Sequence, residues 1–355
     1  MGERGRVRRH RRVTEPALLC TAYLTGPGRE RLADRFDLHV QPWLDERPPR
    51  LLAEEELAAA AAGVGASVVV VEADVVGAAF FERCPDVAVV AATRGDPWNL
   101  DVEAATAAGV LALRTPGRNA RAVAELALGL MIAAARGIVA ADRDIRADRW
   151  VVDDAIAQQR FRGPQIGGAT LGLVGYGAVG RELARLARGC GMDVVAYDPY
   201  ADAAALAAAS VEHAASLAQM LPRCEYLSIH AALTDETRGL LGAEELALLP
   251  AGSVVVNTAR EPILDRAGLI EALTSGHLGG AALDHFEGEY LAPDDPLALP
   301  ANVVLTPHIG GASTGADACH TTMLADAFDA LARGETPPGA LNPDCAGAAA
   351  RRLWP

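Results

Sequence analysis

Short apolar runs alternate along the chain with stretches in which apolar positions recur every three to four residues. In the opening third, residues 17–24, 39–43, 67–71 and 87–92 read as buried strands, and 30–36 and 54–62 as amphipathic helices. Residues 104–109 predict a short helix ending at glycine, and 110–113 the next strand. Strands alternating with helices imply parallel sheets covered by helices on both faces. Residues 120–136 predict a long helix that is apolar nearly all round, a pattern expected where domains or subunits bury it. It is too short and too punctuated to span a bilayer.

A second alternating series opens at residues 170–174, a strand running into Gly175-Tyr176-Gly177-Ala178-Val179-Gly180 and then a helix. Residues 192–197 form the following strand, which ends at Asp198. This is the layout of a dinucleotide pocket: Gly175 for the tight turn, Gly177 for close approach of a pyrophosphate, Gly180 for helix–strand packing. The free N–H groups at the helix start attract phosphate. Asp198 is placed for a ribose 2′-hydroxyl and would repel a 2′-phosphate, so the cofactor expected is NAD. Further strands are predicted at 226–230, 253–257, 280–284 and 303–306, and helices at 244–249, 266–275 and 321–332, before a loose tail containing Asn342-Pro343.

The expected fold is α/β, with two doubly wound parallel-sheet domains. A Rossmann NAD-binding domain (119–312) is inserted into a flavodoxin-like substrate-binding domain (15–118 plus 313–345), behind a disordered basic tail (1–14). The active site is expected in the cleft between the domains.

Composition narrows the function. A chain of 355 residues suits two domains of ordinary size. Its net charge of −14 opposes binding to nucleic-acid phosphate. None of the 32 basic residues is lysine, which excludes Schiff-base catalysis and a P-loop lysine. The six cysteines have no zinc spacing, so no metal is expected, and they suit reduced thiols in a cytoplasmic protein. No apolar run reaches the length of a membrane span, and no membrane partner is expected.

Three polar residues follow predicted strands of the second series: Arg260, Glu289 and His308. In a doubly wound sheet such positions gather at the carboxyl edge, where ligands bind. Arginine offers a planar, permanently charged fork for a carboxylate and an adjacent carbonyl. Histidine gives and takes a proton near neutrality, and a glutamate bonded to it favours its charged form and fixes its orientation. With a nicotinamide nearby, the set specifies hydride transfer between a 2-hydroxy acid and its 2-oxo acid, with His308 moving the hydroxyl proton. His230 ends a strand near the nicotinamide side, where a structural role and a ligand contact are equally open. His285 is read as packing.

The chain resembles the D-isomer-specific 2-hydroxyacid dehydrogenases, and most of all their D-3-phosphoglycerate dehydrogenase-like branch. The resemblance is carried by residues 170–184, Tyr197-Asp198-Pro199, residues 228–240, Val256-Asn257-Thr258-Ala259-Arg260, residues 281–289 and Thr306-Pro307-His308-Ile309-Gly310-Gly311. It implies that Arg260, Glu289 and His308 are catalytic in the roles above. It also implies that Ala178, Val179, Asp198, Thr258 and Asp284 contact the cofactor; Ala259 and Gly310 are assigned to the same set. The family usually has glycine after the arginine and proline after the glutamate, where this chain has Glu261 and Tyr290. Both departures bear on the substrate more than on the reaction.

In the family a loop of the first domain contacts the substrate carboxylate through backbone N–H groups, which here falls on Arg94 and Gly95. Arg94, Arg118 and Arg121 would suit a phosphorylated or phosphonate hydroxy acid, unless they are solvated or paired with Asp96 and Glu125. The assembly expected is a homodimer, with the 120–136 helix at its interface. Two other readings stay open: a dehydrogenase of a hydroxyphosphonate in secondary metabolism, and a non-catalytic NAD(H)-sensing regulator of the same fold.

Overall fold

A computed structural model describes residues 15–298 and 302–355; the basic segment 1–14 lies outside the described residues. The chain divides into two compact units, one of residues 15–118 with Thr314–Pro355, the other Asn119–Ser313.

The first unit holds β1 (Ala17–Cys20), β2 (Asp37–Val40), β3 (Ala66–Val71), β4 (Val89–Ala92) and β5 (Leu111–Arg114), all parallel in the order β2-β1-β3-β4-β5. That is the flavodoxin-like doubly wound order. Its central strand is a run of valines buried on both faces, as inner parallel strands are. Val68 and Val70 join Leu18, Leu324 and Phe328 on one side, while Val69 and Val71 join Leu57, Phe80 and Val90 on the other. The period of two thus gives each face its own helical layer.

Several boundaries move for identifiable reasons. The helix expected at 30–36 is Pro27–Ala33, with proline in its first turn, where a missing N–H costs nothing. The strand expected at 39–43 ends at Val40; Pro42 follows, and Trp43–Asp45 is a 3-10 turn. The helix expected at 321–332 is Thr314–Ala332. The loose tail is a correction of substance. Ala346–Leu353 is a helix that buries Ala346, Ala349 and Leu353 in the same cluster as Phe328. Asn342 fastens this segment to β5, accepting from the Ala112 N–H and donating to the Val110 carbonyl.

The second unit begins with helix Ala120–Ala135 and helix Ile138–Arg146, then a hairpin of β6 (Val151–Val152) and β7 (Ala155–Ile156). Its main sheet contains β8 (Thr170–Val174), β9 (Asp193–Tyr197), β10 (Glu212–His213), β11 (Tyr226–Ile229), β12 (Val254–Asn257), β13 (Gly280–Leu283) and β14 (Val303–Leu305). All seven are parallel, in the order β10-β9-β8-β11-β12-β13-β14. The order reverses between β8 and β11, and ligands of such sheets bind beyond the carboxyl ends of the strands at that reversal.

Helix Ala120–Ala135 does not need a second subunit to explain its apolar character. Ala127, Leu130, Met131 and Ala134 pack with Leu171, Leu173 and Leu183 inside this unit. Just after it several large apolar side chains are left exposed: Ile138, Ile145, Trp150, Val151 and Ile156. Among the described residues no single helix is long and apolar enough to cross a membrane.

Candidate active site

At the β8/β11 reversal a cavity of about 790 Å³ is lined by Gly175, Gly177, Tyr197, Asp198, Tyr200, His230 and Thr234, among others. Gly175 has φ +96°, and a Cβ there would sit 2.6 Å from the Ala231 nitrogen. A Cβ on Gly180 would sit 2.4 Å from the Gly175 carbonyl oxygen, so neither position admits a side chain. A Cβ on Gly177 would meet nothing within 4 Å, and no side chain caps the helix Ala178–Gly189 that follows. The N–H groups at the start of this helix therefore have no side-chain partner, the condition a pyrophosphate needs. Asp198 accepts from the Tyr176 N–H at 2.7 Å and the Tyr200 N–H at 2.9 Å, which fixes its carboxylate at the cavity edge. Across the cavity the Tyr200 hydroxyl donates to Glu236 at 2.6 Å. His230 bonds Ser228 Oγ at 2.8 Å, and burial pushes its imidazole down to about 4, so it lines the cavity uncharged at neutral pH. The Thr258 hydroxyl is buried without a partner, a group a ligand would satisfy. These residues fit a dinucleotide.

Arg260, Glu289 and His308 follow the carboxyl ends of β12, β13 and β14. Asn257, at the end of β12, donates to the Arg260 carbonyl at 3.0 Å and accepts from the Ala259 N–H at 3.0 Å, so the turn presenting Arg260 is tied from within. Asp284, 1% exposed at the end of β13, accepts from the Thr306 hydroxyl at 2.5 Å and from the N–H groups of Ile309 at 2.9 Å and Gly310 at 2.8 Å. Its carboxylate thus clamps the loop on both sides of His308. Three of its roughly four acceptor positions are used in that way, which leaves one for the cofactor contact expected of Asp284.

His308 Nδ1 lies 2.6 Å from Glu289 Oε1. A carboxylate only accepts, so Nδ1 carries the proton and the neutral ring has its free lone pair on Nε2. Both residues have φ +53°, a region non-glycine residues enter at a cost of about 1–3 kcal/mol and hold mainly at functional sites.

His285 is not mere packing. Its ring meets the His308 ring edge-on, with centroids 4.7 Å apart, and its Nε2 lies 3.6 Å from the same Glu289 oxygen. Burial, and then the charges of Arg260 and His308, hold its pKa below the usual histidine value. The side chains of Arg260, His285, Glu289 and His308 therefore share one neighbourhood. The sequence signal was present: His285 follows a strand-end acid and stands four residues before Glu289.

Glu261 does not point to solvent; its side chain is only 19% exposed. It pairs with Arg266 at 2.6 Å and accepts the Glu287 N–H at 2.5 Å, linking the arginine turn to the loop that carries Glu289. Arg266 also pairs with Asp295. Tyr290 is 70% exposed. In the first unit, Arg118 pairs with Glu72 at 2.7 Å and approaches His320 Nδ1 at 3.4 Å. Arg121, in the second unit, pairs with Glu125 at 2.8 Å, one of the two partners foreseen. The Arg94 guanidinium stands 5.5 Å from the Trp98 ring centroid. A Cβ on Gly95 would make only ordinary contacts with Pro116 and Gly117.

Residues 128–310 match the model of the D-isomer specific 2-hydroxyacid dehydrogenase NAD binding domain. A glyoxylate reductase of Korarchaeum cryptofilum is 34% identical over 330 residues, covering 92% of this chain and 96% of that protein. A D-3-phosphoglycerate dehydrogenase of Methanocaldococcus jannaschii is 35% identical over 244 residues, 69% of this chain but only 45% of that protein. The chain thus spans about half the length of that relative. A solved D-isomer specific 2-hydroxyacid dehydrogenase from a Polaromonas species superposes with a TM-score of 0.78 at 28% identity, covering 92% of this chain and 99% of that one. The chain belongs to the D-isomer-specific 2-hydroxyacid dehydrogenase family. It is an NAD-dependent oxidoreductase acting on the CH–OH group of 2-hydroxy acids.

Proposed function

We propose that the chain interconverts a D-2-hydroxy acid and its 2-oxo acid with Arg260, Glu289 and His308 as the catalytic residues. The observation that carries this reading is the 2.6 Å pair of His308 Nδ1 and Glu289 Oε1 within reach of the Arg260 charge. Arg260 binds the substrate carboxylate through its fork and polarises the adjacent oxygen. His308 Nε2 takes the hydroxyl proton in oxidation and returns it in reduction, while Glu289 holds Nδ1 and stabilises the imidazolium that forms. Bound NAD supplies the hydride acceptor or donor. Gly175, Gly177, Ala178, Val179, Gly180, Asp198, His230, Thr258, Ala259, Asp284 and Gly310 form its binding surface in this reading.

The substrate proposed is a small 2-oxo acid bearing a second anionic group, a phosphate or phosphonate, with Arg94 and Gly95 as the first unit's contacts. What supports this is the likeness to a D-3-phosphoglycerate dehydrogenase, together with the family resemblance that puts the carboxylate-binding loop of the first unit at Arg94 and Gly95. The test is a screen of 2-oxo acids for oxidation of NADH, followed by kcat/KM of Arg94→Ala on phosphorylated and plain substrates. A loss confined to the phosphorylated member is expected; equal losses on both remove the phosphate argument.

The assembly proposed is a homodimer joined through the segment 138–156, supported by the exposed Ile138, Ile145, Trp150, Val151 and Ile156 close together in the chain. Six unpaired cysteines support a reducing, cytoplasmic location.

A further inference from the structure

We propose that His285, Glu289 and His308 bind one divalent transition-metal ion, zinc being the fitting one, and that the ion reversibly silences the histidine that moves the proton. The silencing rests on the role of His308 proposed above; the binding does not.

The chemistry of the donors comes first. Two imidazoles and a carboxylate with a position left open form a ligand set zinc takes readily. Ligand atoms about 2.1 Å from a tetrahedral zinc ion lie roughly 3.4 Å from one another. Here the three ligand atoms all lie within 4.8 Å of one another, and His285 Nε2 stands 3.6 Å from Glu289 Oε1. The His308–Glu289 pair, at 2.6 Å, has to open by less than an ångström as its hydrogen bond gives way to the metal.

The residues are also prepared to bind. Glu289 and His308 are both held at φ +53°, and Asp284 clamps the His308 loop, so part of the ordering is already complete. His285 is what turns a histidine–glutamate pair into three converging donors. No spacing in the sequence announces the site, because its ligands come from two different strand ends.

The consequence follows from the tautomer. A metal on Nδ1 displaces the proton from that nitrogen, and the neutral ring keeps its remaining proton on Nε2. Such a ring donates from Nε2 but has no lone pair there to accept with, so hydroxy-acid oxidation loses its base. Glu289, drawn to the metal, no longer stabilises an imidazolium.

The test uses tag-free, full-length protein freed of metal with a chelator. Cobalt(II) is titrated in and its visible ligand-field absorption is read, then zinc is added to displace it. One equivalent bound without a thiolate charge-transfer band is expected, with affinity at least about tenfold weaker in His285→Ala. Zinc should slow wild-type turnover with the same midpoint as it displaces cobalt. NADH binding checks that the variant folds, and His285→Gln repeats the test if His285→Ala does not. Wild-type protein that shows no saturable cobalt spectrum, a thiolate band, or equal affinity in a folded His285 variant overturns the site. Bound zinc with undiminished turnover overturns the silencing.

Discussion

Asp284 offers the sharpest test of how the catalytic loop is built, because one buried carboxylate takes three bonds from it. In Asp284→Asn one oxygen becomes an NH2 group. If the remaining oxygen keeps the Thr306 hydroxyl and the Ile309 N–H, the Gly310 N–H faces a donor instead of an acceptor. Losing a hydrogen bond to a charged group costs about 1.5–3 kcal/mol, and an orphaned buried donor adds to that, so we expect about 2–4 kcal/mol. The unit that carries Asp284 is residues 119–313, for which that cost corresponds to a fall in Tm of roughly 4–16 °C. A loosened loop displaces His308, and a 1 Å displacement of a catalytic group costs about 100-fold in rate. Thr306→Val removes only the hydroxyl bond to the Asp284 carboxylate and should cost about 1.5–3 kcal/mol without orphaning a buried donor. The assays are calorimetric unfolding, kcat/KM and NADH affinity on the two variants. Loss of NADH binding with Tm unchanged would make Asp284 a cofactor ligand, and the clamp account would be refuted.

Other expectations concern the cofactor edge, the first unit and the assembly. Asp198→Asn removes a charge that a 2′-phosphate would face at close range. At about 4 Å that repulsion is worth roughly 1–4 kcal/mol between water-like and protein-like screening, so NADP affinity should rise about tenfold or more. His320 is fully buried, bonds the Tyr23 carbonyl at 2.6 Å, and is pushed down to about 4 by burial. The unfolded chain therefore binds one more proton than the folded chain between pH 6.5 and 4. Stability must fall across that window as pH drops, by up to about 3 kcal/mol from this group. The Tm difference between wild type and His320→Gln should narrow from pH 7 to pH 5; a constant gap would contradict the burial argument. Trp150→Asp, at a side chain 62% exposed, should shift the protein to monomer in sedimentation while leaving its melting temperature near wild type. A dimer that persists in this variant would turn attention from the 138–156 segment.

Most of the architecture was legible because parallel strands buried on both faces read as unbroken apolar runs, as in Val68–Val71 and Val254–Val256. The glycine turn was legible because close backbone approach leaves no substitute for Gly175 and Gly180. The end helix Ala346–Leu353 was missed because it carries two arginines and buries mostly alanine, giving a weak apolar period after Pro343. Residues 138–156 were passed over although Ile138–Arg146 carries an amphipathic period; their large apolar side chains, Ile138 and Ile145 among them, are left exposed. Helix Ala120–Ala135 was recognised, but its all-round apolar surface was ascribed to another domain or subunit instead of its own sheet. His285 carried a spacing signal, four residues before Glu289, but its approach to His308 comes from another strand end, and Glu261 is tied to the Glu287 N–H of another loop. Arg118 looked available only because Glu72 lies 46 residues away in sequence.

The central claim is that a guanidinium, an imidazole and bound NAD serve one hydride transfer. His308→Ala tests it most directly, with turnover followed by NADH absorbance on the best acid from the screen and NADH affinity by fluorescence titration. We predict a loss of about 10²–10⁴-fold in turnover while NADH binds as in wild type. Turnover retained in the variant would show that another group moves the proton.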